Sequence, residues 1–407
     1  MKYARFLELA AITPPVVVLG RFLNQNAIGI ARDLGRRGVP VLIVDCTRTG
    51  HKVPSRYAAK ILAPDPHHDE AGFMDALLGL GAQLPQKAVL FPAGDDYVVP
   101  VARAAERLGA GFLLPFAGGE VMARANDKWQ QMEGAHRAGV DVPQCVYLRS
   151  ARDLDNLNGQ VAFPAILKPA VPQAGRRRLG VKLVPVGGPA LLSAAYEMAR
   201  VCGPLLLQEY IPGTDEDFYY LGSYLDARSQ PLAVFTGRRL RQYPRGQGST
   251  RVAESVWMPE VADAGLRLLQ ELQYHGISHV EFKRDPRDGR FKLMEINTRH
   301  YGTHSLAAAC GVDLSATAYA DALGRPRTAA RQREGVRWLH GSTDVVASAR
   351  ELLHGELSAR EWLGQLRGVR LDGKFLFDDP LPGMADAWHV GARGARLLAA
   401  RAGAGRL

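Results

Sequence analysis

Residues 277–299 read I-S-H-V-E-F-K-R-D-P-R-D-G-R-F-K-L-M-E-I-N-T-R, and this stretch decides the fold of the chain. Two runs with β-type alternation, 279–284 and 290–297, flank the turn-forming dipeptides Asp285-Pro286 and Asp288-Gly289. The stretch therefore predicts a β-hairpin with its turn centred near Asp288.

Three oxygen-bearing side chains converge in this predicted hairpin. Glu295 and Asn297 share a face because side chains alternate along a strand, and Glu281 falls opposite Glu295. Like charges that face each other across a sheet are unfavourable, so a cation is expected, and hard oxygen ligands favour Mg²⁺. The alternative, in which one glutamate faces solvent and pairs with Lys283 or Lys292, stays open because sequence does not fix strand register.

Length and composition are those of a soluble globular enzyme. The 407 residues, 47% hydrophobic and 23% charged, predict two to four domains. The four cysteines form no C-x-x-C pair, which is typical of a reducing cytosol and indicates a cytoplasmic protein. Arg5 and Glu8 make the N-terminus a poor signal peptide, and no apolar run is long enough to span a bilayer.

The net charge of +10 is compatible with nucleic acid, anionic membranes or phosphorylated ligands. Its distribution is more informative, because arginines cluster at 176–178 and at 238–245. Apart from Tyr243, neither cluster contains the aromatic residues on which single-stranded nucleic acids stack. The clusters indicate anion handling at a site, with solvated surface as the alternative, and no nucleic-acid partner is expected.

The N-terminal region predicts a parallel sheet. From Pro15 the chain reads as strand, glycine turn, amphipathic helix and strand, and a further strand–helix unit occupies 88–109. Only Gly20 and Gly29 stand where a dinucleotide fingerprint needs three glycines, so the predicted Rossmann-like domain at 14–120 gives no indication of NAD.

Lysines and a glycine-flanked loop follow. Asn126 or Asp127 is predicted to cap a helix. Lys128 then lies in the first turn of this helix, where a cation opposes the helix dipole and an anionic ligand would justify it. Lys168 ends a short apolar strand before a proline. Between Gly175 and Gly180 run three arginines, and Lys182 comes next, which suits a flap that closes over phosphates. No Walker A sequence is present.

An apolar strand at 205–209 ends in a Pro-Gly turn that is followed by three acids in four residues. Such an end can offer backbone groups to a purine and a carboxylate to a ribose, although a strand before a solvated loop has the same pattern. Residues beyond 326 form helical patterns and a basic tail in which we find no chemistry.

The order of these motifs resembles the ATP-grasp superfamily of carboxylate–amine and carboxylate–thiol ligases. More narrowly, it is similar to the carbamoyl-phosphate-synthetase-like and D-aspartate-ligase-like branch. The resemblance spans residues 14–325. The motifs are N-D-K at 126–128, I-L-K-P at 166–169, Q-E-Y-I-P-G at 208–213, V-E-F-K at 280–283 and M-E-I-N-T-R at 294–299.

The resemblance implies an α/β plus α+β architecture. A Rossmann-like pre-ATP-grasp domain at 14–120 precedes a two-lobed ATP-grasp fold and a small, mostly helical C-terminal extension. The N-lobe with the phosphate flap would occupy 121–204, the C-lobe with the metal site 205–325, and the extension 326–407.

The resemblance also implies ATP and Mg²⁺ as cofactors, with Mn²⁺ able to substitute. The residues expected to bind ATP are Lys128, Lys168 and the flap's Lys182 at the phosphates, Glu209 with the backbone of Tyr210 and Ile211 at adenine, and Asp215 or Asp217 at the ribose. The expected metal ligands are Glu281, Glu295 and Asn297, and Arg299 would face the transferred phosphate.

Two departures from relatives bear on the chemistry. D-alanine ligases place an arginine two residues before the first metal carboxylate, where this chain has His279; we expect Arg239 or Arg241 to take over that role at the intermediate. Biotin carboxylases follow a similar E-M-N-T-R run with a glutamate that acts as base. This chain continues with His300, which disfavours carboxylation.

The leading hypothesis is a ligase that activates a carboxylate, such as an amino acid, as an acylphosphate and joins it to an amine. The alternatives are a small-molecule kinase or carboxylase of the same fold, and a non-catalytic nucleotide-binding regulator. The expected partners are a small carboxylate and an amine, with a homodimer left open. Substrate contacts are expected at 238–245, 250–255 and 299–304.

Overall fold

The computed structural model describes residues 1–48, 52–157, 159–171, 178–246, 248–325, 327 and 330–404, with 393–404 as backbone only. Its strands form three sheets of five, four and seven strands. Across the described ranges, no helix combines the length and apolar character needed to cross a bilayer.

The five-stranded sheet is parallel and has the order β3-β2-β1-β4-β5. Its three inner strands are buried along their whole length, as their unbroken apolar sequences require. The predicted Rossmann-like domain is thus confirmed. Its elements are α1 (Tyr3–Ala10), β1 (Val16–Leu19), α2 (Gln25–Gly35), β2 (Val41–Asp45), β3 (Ala58–Leu62), α3 (Glu70–Gln83), β4 (Ala88–Pro92), α4 (Asp95–Arg103), α5 (Ala105–Leu108) and β5 (Phe112–Leu113).

The four-stranded sheet is antiparallel and has the order β6-β9-β7-β8. It buries a small apolar core of its own against α8. The elements of this region are α6 (Gly119–Asn126), α7 (Lys128–Arg137), β6 (Cys145–Leu148), β7 (Ala165–Pro169), β8 (Val184–Val186), α8 (Leu192–Ala199) and β9 (Leu205–Glu209).

The seven-stranded sheet has the order β14-β13-β10-β11-β12-β15-β16. Its last two strands belong to the C-terminal extension, which is mostly helical as predicted and also enlarges this sheet. The elements are β10 (Phe218–Leu225), β11 (Pro231–Tyr243), β12 (Ser249–Ser255), α9 (Pro259–Glu271), β13 (Gly276–Arg284), β14 (Phe291–Asn297), α10 (His304–Ala309), α11 (Leu314–Ala322), β15 (Arg337–Leu339), α12 (Gly341–Leu353), α13 (Ala359–Leu366), β16 (Val369–Asp372) and α14 (Pro380–Ala404).

The predicted hairpin is β13–β14, and its register is confirmed because Glu281 pairs with Glu295 and His279 with Asn297. Just beyond the glutamate pair the register shifts, so that Phe282 pairs with Leu293 and one strand carries an extra residue. Val280, Phe282, Leu293 and Ile296 of the hairpin are buried in the main core. The turn is closed by Gly289, whose φ of +75° suits glycine.

Candidate active site

A cavity of about 1290 Å³ lies between the three regions of the fold. It exceeds the roughly 300–1,000 Å³ of a site for one small ligand, which leaves room for a nucleotide and a second substrate. Its lining includes Gly20, Gln25, Asp95 and Tyr97 from the N-terminal domain, Lys128, Ile166, Lys168 and Lys182 from the middle region, and His279, Glu281, Glu295, Asn297 and Arg299 from the large sheet.

The predicted oxygen cluster lies in the wall of this cavity. Asn297 Nδ2 is 3.4 Å from Glu295 Oε1, and His279 Nδ1 is 3.3 Å from Glu281 Oε1. The amide oxygen of Asn297 faces Arg299 at 3.5 Å, so ligation of a cation by that oxygen requires the amide to turn over. These three contacts are long and therefore weak.

Lysines approach the glutamate pair from the middle region. Lys128 Nζ is 3.3 Å from Glu295 Oε2. Burial acts to raise the pKa of Glu295, but the charges of Lys128, Lys182 and Lys168 outweigh burial and hold that pKa well below its usual range. Burial, assisted by the charge of Lys128, lowers the pKa of Lys168 to about 7. The cavity therefore combines an ionised carboxylate with cations suited to phosphate.

Arg239 approaches the pair from strand β11, which is separated from β13 by strand β10. Its Nη2 is 2.6 Å from Glu281 Oε2, and its Nη1 donates to Gln242 Oε1 at 3.0 Å. Burial raises the pKa of Glu281, and this rise is opposed by Arg239 and increased by Glu295. Burial, Arg239 and Arg299 together lower the pKa of His279 well below its usual range, so its imidazole is neutral.

These contacts decide between the two interpretations of the hairpin. The two lysines expected to neutralise an outward glutamate are engaged elsewhere: Lys283 Nζ donates to the Ile211 carbonyl at 2.9 Å, and Lys292 Nζ is 2.6 Å from Asp285. Both glutamates line the cavity instead. Within the described residues, no group of three or more His, Cys, Asp or Glu is placed to hold a metal, so an ion here would depend on two carboxylates, one amide and a nucleotide.

Helix α7 positions both Lys128 and strand β14. Asp127, one of the two predicted N-caps, accepts hydrogen bonds from the backbone N–H groups of Trp129 and Gln130, both at 2.9 Å. Gln131 then binds the backbone of Ile296 twice, through its side-chain oxygen and nitrogen, each at 3.0 Å. The first turn of this helix is thereby fixed to the strand that carries Glu295.

The expected adenine end is formed by the turn after β9. Glu209, Tyr210 and Ile211 all line the cavity. The carboxylate of Glu209, however, accepts a hydrogen bond from the Gln144 backbone at 2.9 Å and another from Arg287 at 2.8 Å. The Glu209 carboxylate is therefore occupied within the protein, and the turn presents its backbone and neighbouring side chains to the cavity.

The structure does not bring the two candidate ribose acids to the cavity wall. Asp215 accepts hydrogen bonds from the Gln242 backbone at 3.0 Å, the Gln242 side chain at 2.9 Å and the Gly246 backbone at 3.0 Å. Asp217 accepts from the backbone N–H of Thr214 at 2.7 Å and caps its own turn. Both carboxylates organise loops.

Arg241 is likewise directed away from the cavity. Its Nη2 binds both carboxylate oxygens of Asp344 at 2.8 Å, and its Nη1 donates to Gln365 at 2.7 Å. The reason is a bulge in β11 after Arg239, which separates the two arginines in direction. The candidate catalytic role predicted for Arg241 is thus replaced by a structural one, and Arg239 is the arginine at the cluster.

The remaining residues that were expected to contact phosphates or substrates fall into two groups, those that line the cavity and those that do not. Gly175, Arg176 and Arg177 of the predicted flap lie outside the described residues, while Lys182 lines the cavity. The expected substrate residues that line the cavity are Arg239, Arg245, Thr250, Arg299, Tyr301, Gly302 and Thr303.

Lys283 and Asp95 are charged cavity residues to which the sequence analysis gave no role in the site. Lys283 lies 5.2 Å from the ring centre of Tyr210 and 4.9 Å from that of Phe218, at the adenine end. Asp95 binds Arg299 through both carboxylate oxygens. Asp95 could have been predicted as a site residue from the sequence, because it follows strand β4 at the carboxyl edge of a parallel sheet, where ligands commonly bind.

The three sheets and the charged cavity between them define an ATP-grasp nucleotide-binding fold. A family model described as "ATP-grasp in the biosynthetic pathway with Ter operon" matches residues 231–343. Over these residues the chain is similar to the ATP-grasp family.

Individual proteins show the same relationship. D-aspartate ligase of Enterococcus faecium is 24% identical over 314 residues, covering 72% of this chain and 73% of that protein. D-alanine–D-alanine ligase of Alkalilimnicola ehrlichii is 29% identical over 235 residues, covering 54% of this chain and 71% of that protein. Among solved structures, the biotin carboxylase domain of Hydrogenobacter thermophilus 2-oxoglutarate carboxylase, in complex with MgADP and bicarbonate, has a TM-score of 0.63 at 16% identity, covering 79% of this chain and 73% of that one.

Proposed function

We propose that this protein is an ATP- and Mg²⁺-dependent ligase that activates a carboxylate as an acylphosphate, joins it to an amine, and releases ADP and phosphate. The observation that carries the proposal is the convergence of an opposed glutamate pair, lysines and an arginine in one cavity. The similarity to two ligases that act on amino acids makes amino acids the first substrates to examine.

The cluster suits the group that the family implies. Glu281, Glu295 and, after its amide turns, Asn297 would hold Mg²⁺, which prefers oxygen ligands and is commonly shared with substrate phosphates. When bound, the ion would neutralise charge on the phosphate oxygens. Lys128 Nζ is already 3.3 Å from Glu295, so a phosphate placed beside the ion would also meet a cation from helix α7.

In the first step, a carboxylate oxygen attacks the γ-phosphorus of ATP, a new P–O bond forms, and the bond to ADP breaks. Lys128 and Lys168 would hold the phosphates, and Arg299 would stabilise the transferred phosphoryl group. The backbone at Tyr210 and Ile211 would orient adenine. Positioning and charge are sufficient for this transfer, and no protein nucleophile is needed.

In the second step, the amine nitrogen attacks the acyl carbon, the C–O bond to phosphate breaks, and the nitrogen gives up a proton. Arg239, bound to Glu281 in the cavity wall, would stabilise the negative charge of the tetrahedral intermediate. We expect Lys182 and its loop to shield the acylphosphate from water. Mn²⁺ is expected to replace Mg²⁺.

The test is an array of carboxylic acids and amines incubated with MgATP, with ADP and phosphate measured separately. The proposal requires ADP and phosphate release that depends on both an acid and an amine. Release of AMP and pyrophosphate would exclude the mechanism. Dependence on bicarbonate, a stable phosphorylated product, or nucleotide binding without turnover would instead support the carboxylase, the kinase or the regulator.

A further inference from the structure

Arg299 is held in the cavity by a residue of another domain. Its Nε and Nη2 both donate to the carboxylate of Asp95, with Nη2 2.9 Å from Oδ2. Its third nitrogen, Nη1, donates to the His300 carbonyl at 3.0 Å. A guanidinium bound on two edges has a fixed plane, and this paired geometry is more directional than a single contact.

The frame around this pair is built from the N-terminal domain. Asp95 begins helix α4, where a carboxylate is favoured by the helix dipole. The side-chain nitrogen of Asn26 on helix α2 donates to the Ala93 carbonyl at 2.9 Å and to the His300 carbonyl at 2.7 Å. One buried amide therefore joins the two loops that carry Asp95 and Arg299.

We propose that Asp95 is the positioning residue for Arg299, so that the N-terminal domain is a working part of the phosphoryl-transfer site. This inference rests on the proposed function, in which Arg299 faces the transferred phosphoryl group. Asp95 acts through the arginine. It leaves one edge of the guanidinium facing the cavity wall that carries Asn297, whose Oδ1 is 3.5 Å from Nη2 of Arg299. It also limits the other orientations that the long arginine side chain would sample.

The test is a double-mutant cycle with Asp95→Asn, Arg299→Ala and the combined variant, assayed for ADP release with the acid and amine pair that the wild-type protein uses. Asp95→Asn should lower kcat about tenfold to a hundredfold, the range found when orienting partners are removed, with the KM for ATP little changed. In the Arg299→Ala background, Asp95→Asn should have no further effect on kcat. Asp95→Glu, which can still bind the guanidinium, should recover part of the loss.

Asp75→Asn is the control, since Asp75 is exposed on helix α3 of the same domain and is not among the residues that line the cavity. It should leave kcat within about threefold of the wild type. The inference would be overturned if the loss of kcat in the combined variant equalled the product of the two single losses, or if Asp95→Asn raised kcat.

A second measurement separates this inference from the proposed function. Binding of ADP with aluminium fluoride, which imitates the phosphoryl group in transfer, is compared with binding of ADP alone in the same four proteins. Asp95→Asn should weaken the fluoride complex selectively, and only when Arg299 is present. If the wild type shows no turnover, the proposed function fails, but this binding cycle still tests the role of Asp95. If Asp95→Asn weakens the fluoride complex equally with and without Arg299, the inference is contradicted.

Discussion

Two buried charge clusters lie on the same seven-stranded sheet, and they differ in how their charges are paired. In the cavity cluster, Glu281 and Glu295 face each other, and the cluster's contacts include several of 3.3–3.5 Å. In the cluster under the C-terminal extension, Arg251 binds both oxygens of Glu351 at 2.9 and 2.7 Å, and Arg241 binds Asp344 at 2.8 Å.

The two clusters also differ in their solvent exposure and in the space next to them. All four charged residues of the extension cluster are at most 2% exposed, and two arginines balance two acids. The cavity cluster instead opens onto a volume that can admit a ligand. Similar residue types are thus paired and closed off from solvent under the extension, whereas those of the cavity cluster face a space that a ligand can enter.

The largest expected effect comes from Glu295→Gln in the cavity cluster. This change removes a carboxylate that we propose as an Mg²⁺ ligand, while it keeps the shape of the side chain. ADP release should fall by about 10³-fold or more. The protein should still fold, but its unfolding midpoint should fall, because the attraction of the Glu295 carboxylate to Lys128, Lys168 and Lys182 is lost. Near-normal turnover would show that Glu295 is not a ligand of the catalytic metal ion.

The counterpart in the extension cluster is Asp344→Ala. It leaves Arg241 buried without its carboxylate partner, which costs about 3–5 kcal/mol in the free energy of unfolding. Denaturant titration checks this loss, and kcat per folded molecule should be little changed. A large loss of kcat at full folding would show that Arg241 serves catalysis after all.

A pH profile distinguishes the lysines of the cavity. Burial and Lys128 lower the pKa of Lys168 to about 7, so the free protein loses this positive charge as pH rises through that value. The value of kcat/KM for ATP should therefore fall up to about tenfold per pH unit above pH 7. Lys168→Arg stays protonated and should hold kcat/KM level over the same range. Parallel profiles for the two proteins would contradict this.

The smallest expected effect is that of Asp217→Asn. The carboxylate caps its own turn at Thr214, so the KM for ATP should change by less than about threefold. An increase of tenfold or more would instead restore the ribose role that the sequence motif implied.

The parts that sequence predicts well are local in origin. The hairpin, including the pairing of Glu281 with Glu295, follows from alternation over a few residues and from the turn at Asp288-Gly289. The N-cap at Asp127 is equally local, since its partners are the next residues. In such cases, the physical cause and the residues that show it stand together in the chain.

The parts that sequence did not predict depend on distant partners. Arg241 binds an acid 103 residues later, and Arg299 binds an acid 204 residues earlier. A bulge in β11 then decides which arginine reaches the cavity, and no composition pattern reveals that shift of register. The groups that bind Asp215, one of the two candidate ribose acids, likewise lie 27 and 31 residues later in the chain.

The central claim is that Glu281, Glu295 and Asn297 hold a divalent ion beneath the phosphates of ATP. A crystal structure of the protein with MgADP tests this most directly. We predict an ion about 2.1 Å from oxygens of both glutamates and of Asn297, bridging to the nucleotide phosphate. An ion bound elsewhere, or a nucleotide outside the cavity that contains Lys128 and Lys168, would contradict the account.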